Sequence, residues 1–292
     1  ANAIVIGGRE EMLKLAQLRP KVPICCMLAS PAHSLDEVIE WIDGAQNDEE
    51  KDKEDTFTLE WKYDGARVQI HCVRDTQTME WDIRIFSRHL SDVTSKYPEA
   101  VESIRRSISS DESTNCLILD GEVVAVSREG KETKILPFQT LTTTSNKSKL
   151  CVYLFDCLMK NDTSLLKESL RNRRRHLTSC VQFLPGYVEF VEHIDLNSAD
   201  EALLSTTLEK SVSSCCEGLM AKSLSAPYVS YTLVQVEHSR TPSNTTTGTR
   251  LVFAVVIIGK KSRQTMSERV CVIPWMLFRS VRGMVTAEKQ VG

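Results

Sequence analysis

The sequence predicts an α+β fold, antiparallel sheets packed with helices, on three observations. Residues 57–62 alternate: Phe57, Leu59 and Trp61 fall on one strand face, Thr58, Glu60 and Lys62 on the other. Asp64-Gly65 is a turn signal, and 66–73 resumes the alternation with Arg67, Gln69 and His71 opposite Ala66, Val68, Ile70 and Cys72, the pattern of a β-hairpin. Further strand-like runs cover 81–88, 115–126 and 151–156, the last two strongly apolar. Helices are the third signal. Ser34 with Glu37 and Ser198 with Glu201 have capping-box spacing, predicting helices over 34–41 and 198–212, and Leu166, Leu170 and Leu177 predict another over 165–181.

A chain of 292 residues is long enough for one sizeable core and a small second domain. Its net charge of -3 excludes a uniformly basic nucleic-acid coat, although a local basic patch is compatible with that sum. The ten cysteines include no C-x-x-C spacing, and Cys25-Cys26 and Cys215-Cys216 are adjacent pairs, so reduced thiols are expected rather than a disulfide framework. No apolar run reaches membrane-spanning length, and no membrane partner is expected. Opening on Ala1 rather than Met, the chain reads as a fragment. Met12, Leu13, Leu15, Ala16 and Leu18 give a short helical piece before Pro20, whereas 43–56 is charge-rich without apolar period and reads as an exposed loop.

The chemistry concentrates in Glu60-Trp61-Lys62-Tyr63-Asp64-Gly65-Ala66-Arg67. A lysine at a strand end beside a turn, with an arginine returning close by, suits a nucleophilic amine. Such an amine must shed its proton at neutral pH, which burial or neighbouring cations promote. K-x-D-G-x-R is expected by chance in on the order of one chain in a few hundred of this length. Lys62 to Arg67 resembles the signature of the covalent nucleotidyltransferases, which comprise ATP-dependent DNA ligases, RNA ligases and mRNA capping enzymes. The longer match, 60–71, is similar to the DNA ligases of eukaryotic replicative type in particular.

Further segments extend the resemblance in order. Pro23-Ile24-Cys25-Cys26-Met27-Leu28-Ala29 resembles the segment that leads into the adenylation domain, Ile83 to Arg88 the family's "IFSR" strand, Leu119-Asp120-Gly121-Glu122 its "LDGE", and Glu217 to Lys222 its "EGlmvK" strand. The resemblance implies a nucleotidyltransferase fold around a nucleotide cleft, ATP and Mg²⁺ as cofactors, and nicked double-stranded DNA as the partner of a nuclear, monomeric enzyme. It implies Lys62 as the residue that takes AMP, and Phe155 stacked on adenine. Glu60 falls at the adenine edge, Arg67 and Arg88 on the ribose-phosphate side, and Lys222 at a phosphate. Glu122, chosen over Asp120, and Glu217 are the acidic ligands for metal and ribose. By residue type alone, Asp120-Gly121 also reads as a turn or bulge, Phe155 as core, and the Arg171, Arg173, Arg174 and Arg175 cluster as a solvated face rather than a DNA contact.

The pattern breaks after Lys222. A strand carrying K-x-K is expected to hold the ATP phosphates, yet 223–259 contains no lysine and Thr241 to Thr249 reads as a flexible loop. The run 251–259 resembles the opening strand of an OB-fold domain. The expected organisation is the end of a helical region and linker over 1–40, an adenylation domain over 41–224, a divergent loop over 225–250 and a partial OB-like segment over 251–292. The two competing functions are an mRNA capping guanylyltransferase and an inactive fragment that only binds nucleotide.

Overall fold

The computed structural model describes residues 18–46, 57–109, 113–129, 133–142, 149–229 and 254–258, all within the unit Ala1–Gly259. Most of the helix expected over 1–19, most of the loop expected over 43–56, most of the divergent segment expected over 225–250 and residues 259–292 lie outside the described residues.

Two sheets carry the fold. The first, of five strands, runs β1 (Ser30–Ala32), β12 (Ala254–Ile258), β11 (Gly218–Ser223), β2 (Phe57–Lys62) and β10 (His193–Leu196). The second, of seven, runs β4 (Trp81–Ser87), β3 (Ala66–Arg74), β5 (Cys116–Ser127), β7 (Lys149–Lys160) and β8 (Thr163–Ser164), with β6 (Lys134–Ile135) on β5 and β9 (Val188–Phe190) on β7. Pairing is antiparallel except for β1 with β12 and β7 with β9. Among the described residues five α-helices flank the sheets: α1 (Leu35–Gln46), α2 (Pro98–Ser107), α3 (Gln139–Thr142), α4 (Leu170–Cys180) and α5 (Glu201–Ser213).

Each sheet has its own core. Val38 and Ile42 of α1 and Leu204 of α5 pack on Phe57, Leu59 and Leu219 of the first sheet. In the second, Ile70, Ile85, Leu117, Leu119 and Leu154 pack against Ile104 of α2 and Leu177 of α4. A smaller cluster around Tyr63, Val124, Tyr153 and Cys216 joins the two sheets. None of the nine described cysteines is in a disulfide.

The predicted hairpin does not form. β2 pairs with β10 and β11, β3 with β4 and β5, and residues 63–65 carry the chain from one sheet to the other. Alternation fixes which side chains share a face and is silent on which strand pairs with which. The connector is held by packing: Tyr63 is buried and stacks on Tyr153 with centroids 3.9 Å apart, and its hydroxyl accepts from the Glu192 amide at 3.3 Å. Gly65 is required there, since a Cβ would lie 2.4 Å from the Val123 carbonyl oxygen and 2.9 Å from Glu122 Cγ.

Other boundaries move for local reasons. α1 continues past Trp41 through Gln46, taking in the start of the charge-rich run. α4 begins at Leu170, capped by Ser169, because Leu165 and Leu166 are buried in the turn after β8. The cap of α5 is Asp200, which accepts from the amides of Ala202 at 2.9 Å and Leu203 at 3.1 Å, in place of the expected Ser198. Residues 254–258, expected to open an OB-like segment, are instead hydrogen-bonded into the first sheet between β1 and β11. An apolar β-branched run adds to whichever sheet edge is open, and β11 offers one beside β2. The expected divergent loop also starts later: Ala226 and Tyr228 are buried, with Leu170 N donating to Ala226 O at 3.0 Å and Tyr228 N to Leu166 O at 2.8 Å.

Candidate active site

The strand exchange at 63–65 creates the site, because it leaves Lys62 at the last position of one sheet and Arg67 near the start of the other. Opposite Lys62 the first sheet supplies β11: Gly218 is its register partner, and the Glu217 amide donates to the Lys62 carbonyl at 2.7 Å. That backbone clamp brings the Glu217 carboxylate onto the Lys62 ammonium as an ion pair, both side chains about a third exposed. Opposite Arg67 the second sheet supplies β5, where Glu122 is its register partner. The register of β5 and β7 shifts after Asp120, which pairs with Asp156 while Gly121 pairs with Leu154, so Phe155 is the extra residue of a bulge and is re-aimed by it. Phe155 is half-buried, with Lys222 Nζ 4.7 Å and the Arg67 guanidinium carbon 5.4 Å from its ring centroid.

Seven of the predicted residues, Glu60, Lys62, Arg67, Glu122, Phe155, Glu217 and Lys222, are linked by these pairings and contacts. Arg88 stands apart, exposed in the turn after β4, though its charge still reaches Lys62. Burial, with Arg88 adding to it, holds the Lys62 pKa below the ordinary lysine value against the pull of Glu122 and Asp64. The shift favours the neutral amine that a nucleophile needs. Glu122 is pushed up to about 8 by burial, which outweighs Arg67 and Lys62. Glu60 behaves oppositely: burial opposes its charge, but Lys222 and Arg174 prevail and keep it below the usual carboxylate range. One oxygen pairs with Arg174 and the other with Lys222.

Four residues of the site have no role assigned by the sequence. Arg174, which the sequence places in a solvated cluster, binds Glu60, Thr58 Oγ1 at 3.1 Å and Asp195 at 3.2 Å. Its neighbour Arg173 is buried on Asp156. Asp120, set aside in favour of Glu122, is the buried partner of Arg67 at 2.7 Å. Tyr228 donates to Asp120 at 2.9 Å. The pattern L-D-G-E offered Asp120 as an alternative; nothing in the local sequence marks Tyr228.

The donor types suit Mg²⁺: Glu122 is a buried carboxylate whose ionisation is opposed by its surroundings, Glu217 is a second hard oxygen donor, and Mg²⁺ takes one or two carboxylates together with phosphate oxygens. Among the described residues there is no cluster of three or more His, Cys, Asp or Glu side chains able to hold a metal without a ligand's help.

The family model described as "ATP dependent DNA ligase domain" matches residues 26–232. The chain belongs to the ATP-dependent DNA ligase family. It is 36% identical to DNA ligase 1 of Saccharomyces cerevisiae over 238 residues, covering 79% of this chain and 29% of the relative. It is 35% identical to DNA ligase 1 of Drosophila melanogaster over 230 residues, covering 76% and 28%. The ligase-family chain thus spans less than a third of the length of these two relatives. Among solved structures it resembles the ligase domain of LigD from M. tuberculosis with a TM-score of 0.51 at 18% identity, over 80% of this chain and 59% of that one. A mycobacterial DNA ligase D complexed with ATP and MES gives 0.50 at 18% identity, over 80% and 59%. These likenesses show the nucleotidyltransferase fold. Among the described residues no helix is long and apolar enough to cross a membrane.

Proposed function

We propose that this chain is the adenylating part of an ATP-dependent DNA ligase that seals nicks in duplex DNA. The observation that carries the reading is the placement of Lys62: a partly buried amine with a lowered pKa, at the junction of two sheets, paired with Glu217 and within reach of the charge of Glu122, whose register partner Arg67 lies over Phe155. In the first step the unprotonated Lys62 Nζ attacks the α-phosphorus of ATP. The new P–N bond replaces the P–O bond to the β-phosphate, pyrophosphate leaves, and the Nζ proton passes to solvent or to a carboxylate facing it. The AMP then moves to the 5′-phosphate of a nick, returning Lys62 to the free amine, and the 3′-hydroxyl displaces AMP as the phosphodiester forms.

Each neighbour supports this sequence. Phe155, turned out by its bulge, offers a stacking face to adenine. Glu60, held ionised and therefore acceptor-only, complements an exocyclic amino group at the adenine edge. Arg67 and Arg88 serve the ribose-phosphate side and Lys222 a phosphate. Glu122 and Glu217 would hold Mg²⁺, which supplies charge neutralisation on the phosphates. β12 carries no lysine, so it offers no K-x-K cation pair beside β11, and self-adenylylation is expected to be slow and nick sealing slower. Work on nicked DNA in replication, repair and recombination, in the nucleus and as a monomer, completes the reading.

Incubation with ATP labelled at the α-phosphate tests it. The wild type is expected to become labelled, Lys62→Ala to lose at least about 99% of that label, and ATP to be preferred over GTP. Labelling of Lys62→Ala at the wild-type level would overturn the assignment.

A further inference from the structure

Three stretches far apart in sequence converge on one guanidinium. Arg67 donates through Nε to Asp120 Oδ1 at 3.2 Å and through Nη2 to Asp120 Oδ2 at 2.7 Å, while Nη1 donates to the Met27 carbonyl at 2.7 Å. The Tyr228 hydroxyl donates to the same Asp120 Oδ2 at 2.9 Å and accepts from the Met27 amide at 3.1 Å, lying 3.5 Å from Arg67 Nη2. Thus Tyr228 binds both the carboxylate that holds Arg67 and the amide of the residue whose carbonyl holds it. Asp120 is fully buried and Tyr228 nearly so, whereas the Arg67 side chain keeps 20% of its surface exposed. Of the five N–H donors of a guanidinium, three are spent on Asp120 and Met27 and a fourth faces the Tyr228 oxygen, leaving one without a described partner.

We infer that Tyr228 is a positioning residue for nucleotide binding: its hydroxyl fixes the Asp120 carboxylate and, through the Met27 amide, the backbone at Met27, so that Arg67 is locked with one N–H presented to the bound nucleotide. The inference rests on the proposed placement of ATP in the cleft. Its physical basis is preorganisation. An arginine already clamped on three sides loses little freedom when it takes up a ligand, and freeing it returns that cost to the binding equilibrium. Tyr228→Phe removes one oxygen and leaves the buried ring in place, so the fold is preserved while the Met27 amide and one lone pair of Asp120 lose a partner.

A cycle between Tyr228→Phe and Arg67→Lys, read both as KM for ATP in self-labelling and as ATP affinity by equilibrium dialysis, tests the proposal. Tyr228→Phe is expected to raise both constants about 5- to 10-fold with kcat within about twofold, and to add less than about twofold once Arg67 is lysine. A Tyr228→Phe variant with unchanged KM and affinity, or losses that simply multiply in the double variant, would overturn it, whatever the change in melting temperature. The two readouts also separate this inference from the reading beneath it. A wild type that binds ATP with the coupled pattern but takes no label upholds the role of Tyr228 and refutes adenylylation; a wild type that neither binds nor is labelled refutes both.

Discussion

Two arginines of this molecule, Arg67 and Arg173, grip aspartates that are register partners on adjacent strands, Asp120 of β5 and Asp156 of β7. The grips are nearly alike. Arg173 donates through Nε at 2.7 Å and through Nη2 at 3.0 Å to Asp156, and adds the carbonyls of Glu168 at 2.6 Å and Ala226 at 3.0 Å. Exposure separates them: the Arg173 and Asp156 side chains are 3% and 5% exposed, whereas Arg67 retains 20% against a fully buried Asp120. Arg173 spends its donors inside the protein and ties α4 and the segment after β11 to the second sheet. Arg67, with the same chemistry, keeps part of its guanidinium exposed, where the proposed nucleotide would reach it. Burial of the guanidinium, more than the ion pair itself, separates Arg173 from the arginine proposed to bind nucleotide.

The comparison predicts an order of effects. Arg173→Met strands Asp156 in the interior and is expected to cost about 3–5 kcal/mol of stability in denaturant unfolding. Arg67→Met leaves Asp120 its Tyr228 bond and should cost less, about 1–3 kcal/mol, while weakening ATP binding well beyond any effect of Arg173→Met in the folded fraction. Equal stability losses in the two variants would dissolve the distinction.

Glu122 sharpens it through pH. Its carboxyl is raised from 4.5 to about 8, so the folded state holds the proton more tightly than the unfolded chain, and stability is lost as pH rises from about 4.5 to about 8. Glu122→Gln should therefore be more stable than wild type by on the order of 1–3 kcal/mol near pH 8, with the gap closing toward pH 4.5, and should label poorly. His71 has the opposite sign and the smallest effect. Burial depresses it to about 4, and its Nδ1 accepts from the Lys21 amide at 3.0 Å, so its contribution is present above about 6.5 and lost as pH falls toward 4. His71→Gln is expected to flatten that acid limb by about 1 kcal/mol in pH-dependent melting.

The sequence carried much of the site because the relevant patterns are local. Residues 60–67 place Lys62 and Arg67 on either side of one glycine, and the only backbone that passes Val123 O at that distance is glycine's, so motif and geometry coincide at Gly65. Pairing was not legible, since alternation in 57–73 suits a hairpin and a strand exchange equally. The same holds for 254–258, whose apolar run pairs with β11. Arg173, Arg174 and Tyr228 escaped because their partners Asp156, Glu60 and Asp120 are distant in sequence and are brought near only by the sheet register and the packing of α4.

The most direct test is to digest the chain after incubation with ATP and locate the adduct by tandem mass spectrometry. One AMP on the peptide containing Lys62, joined through its side-chain nitrogen, is the expected result. AMP on another residue, or an unmodified Lys62 in a sample that binds ATP, would contradict the account.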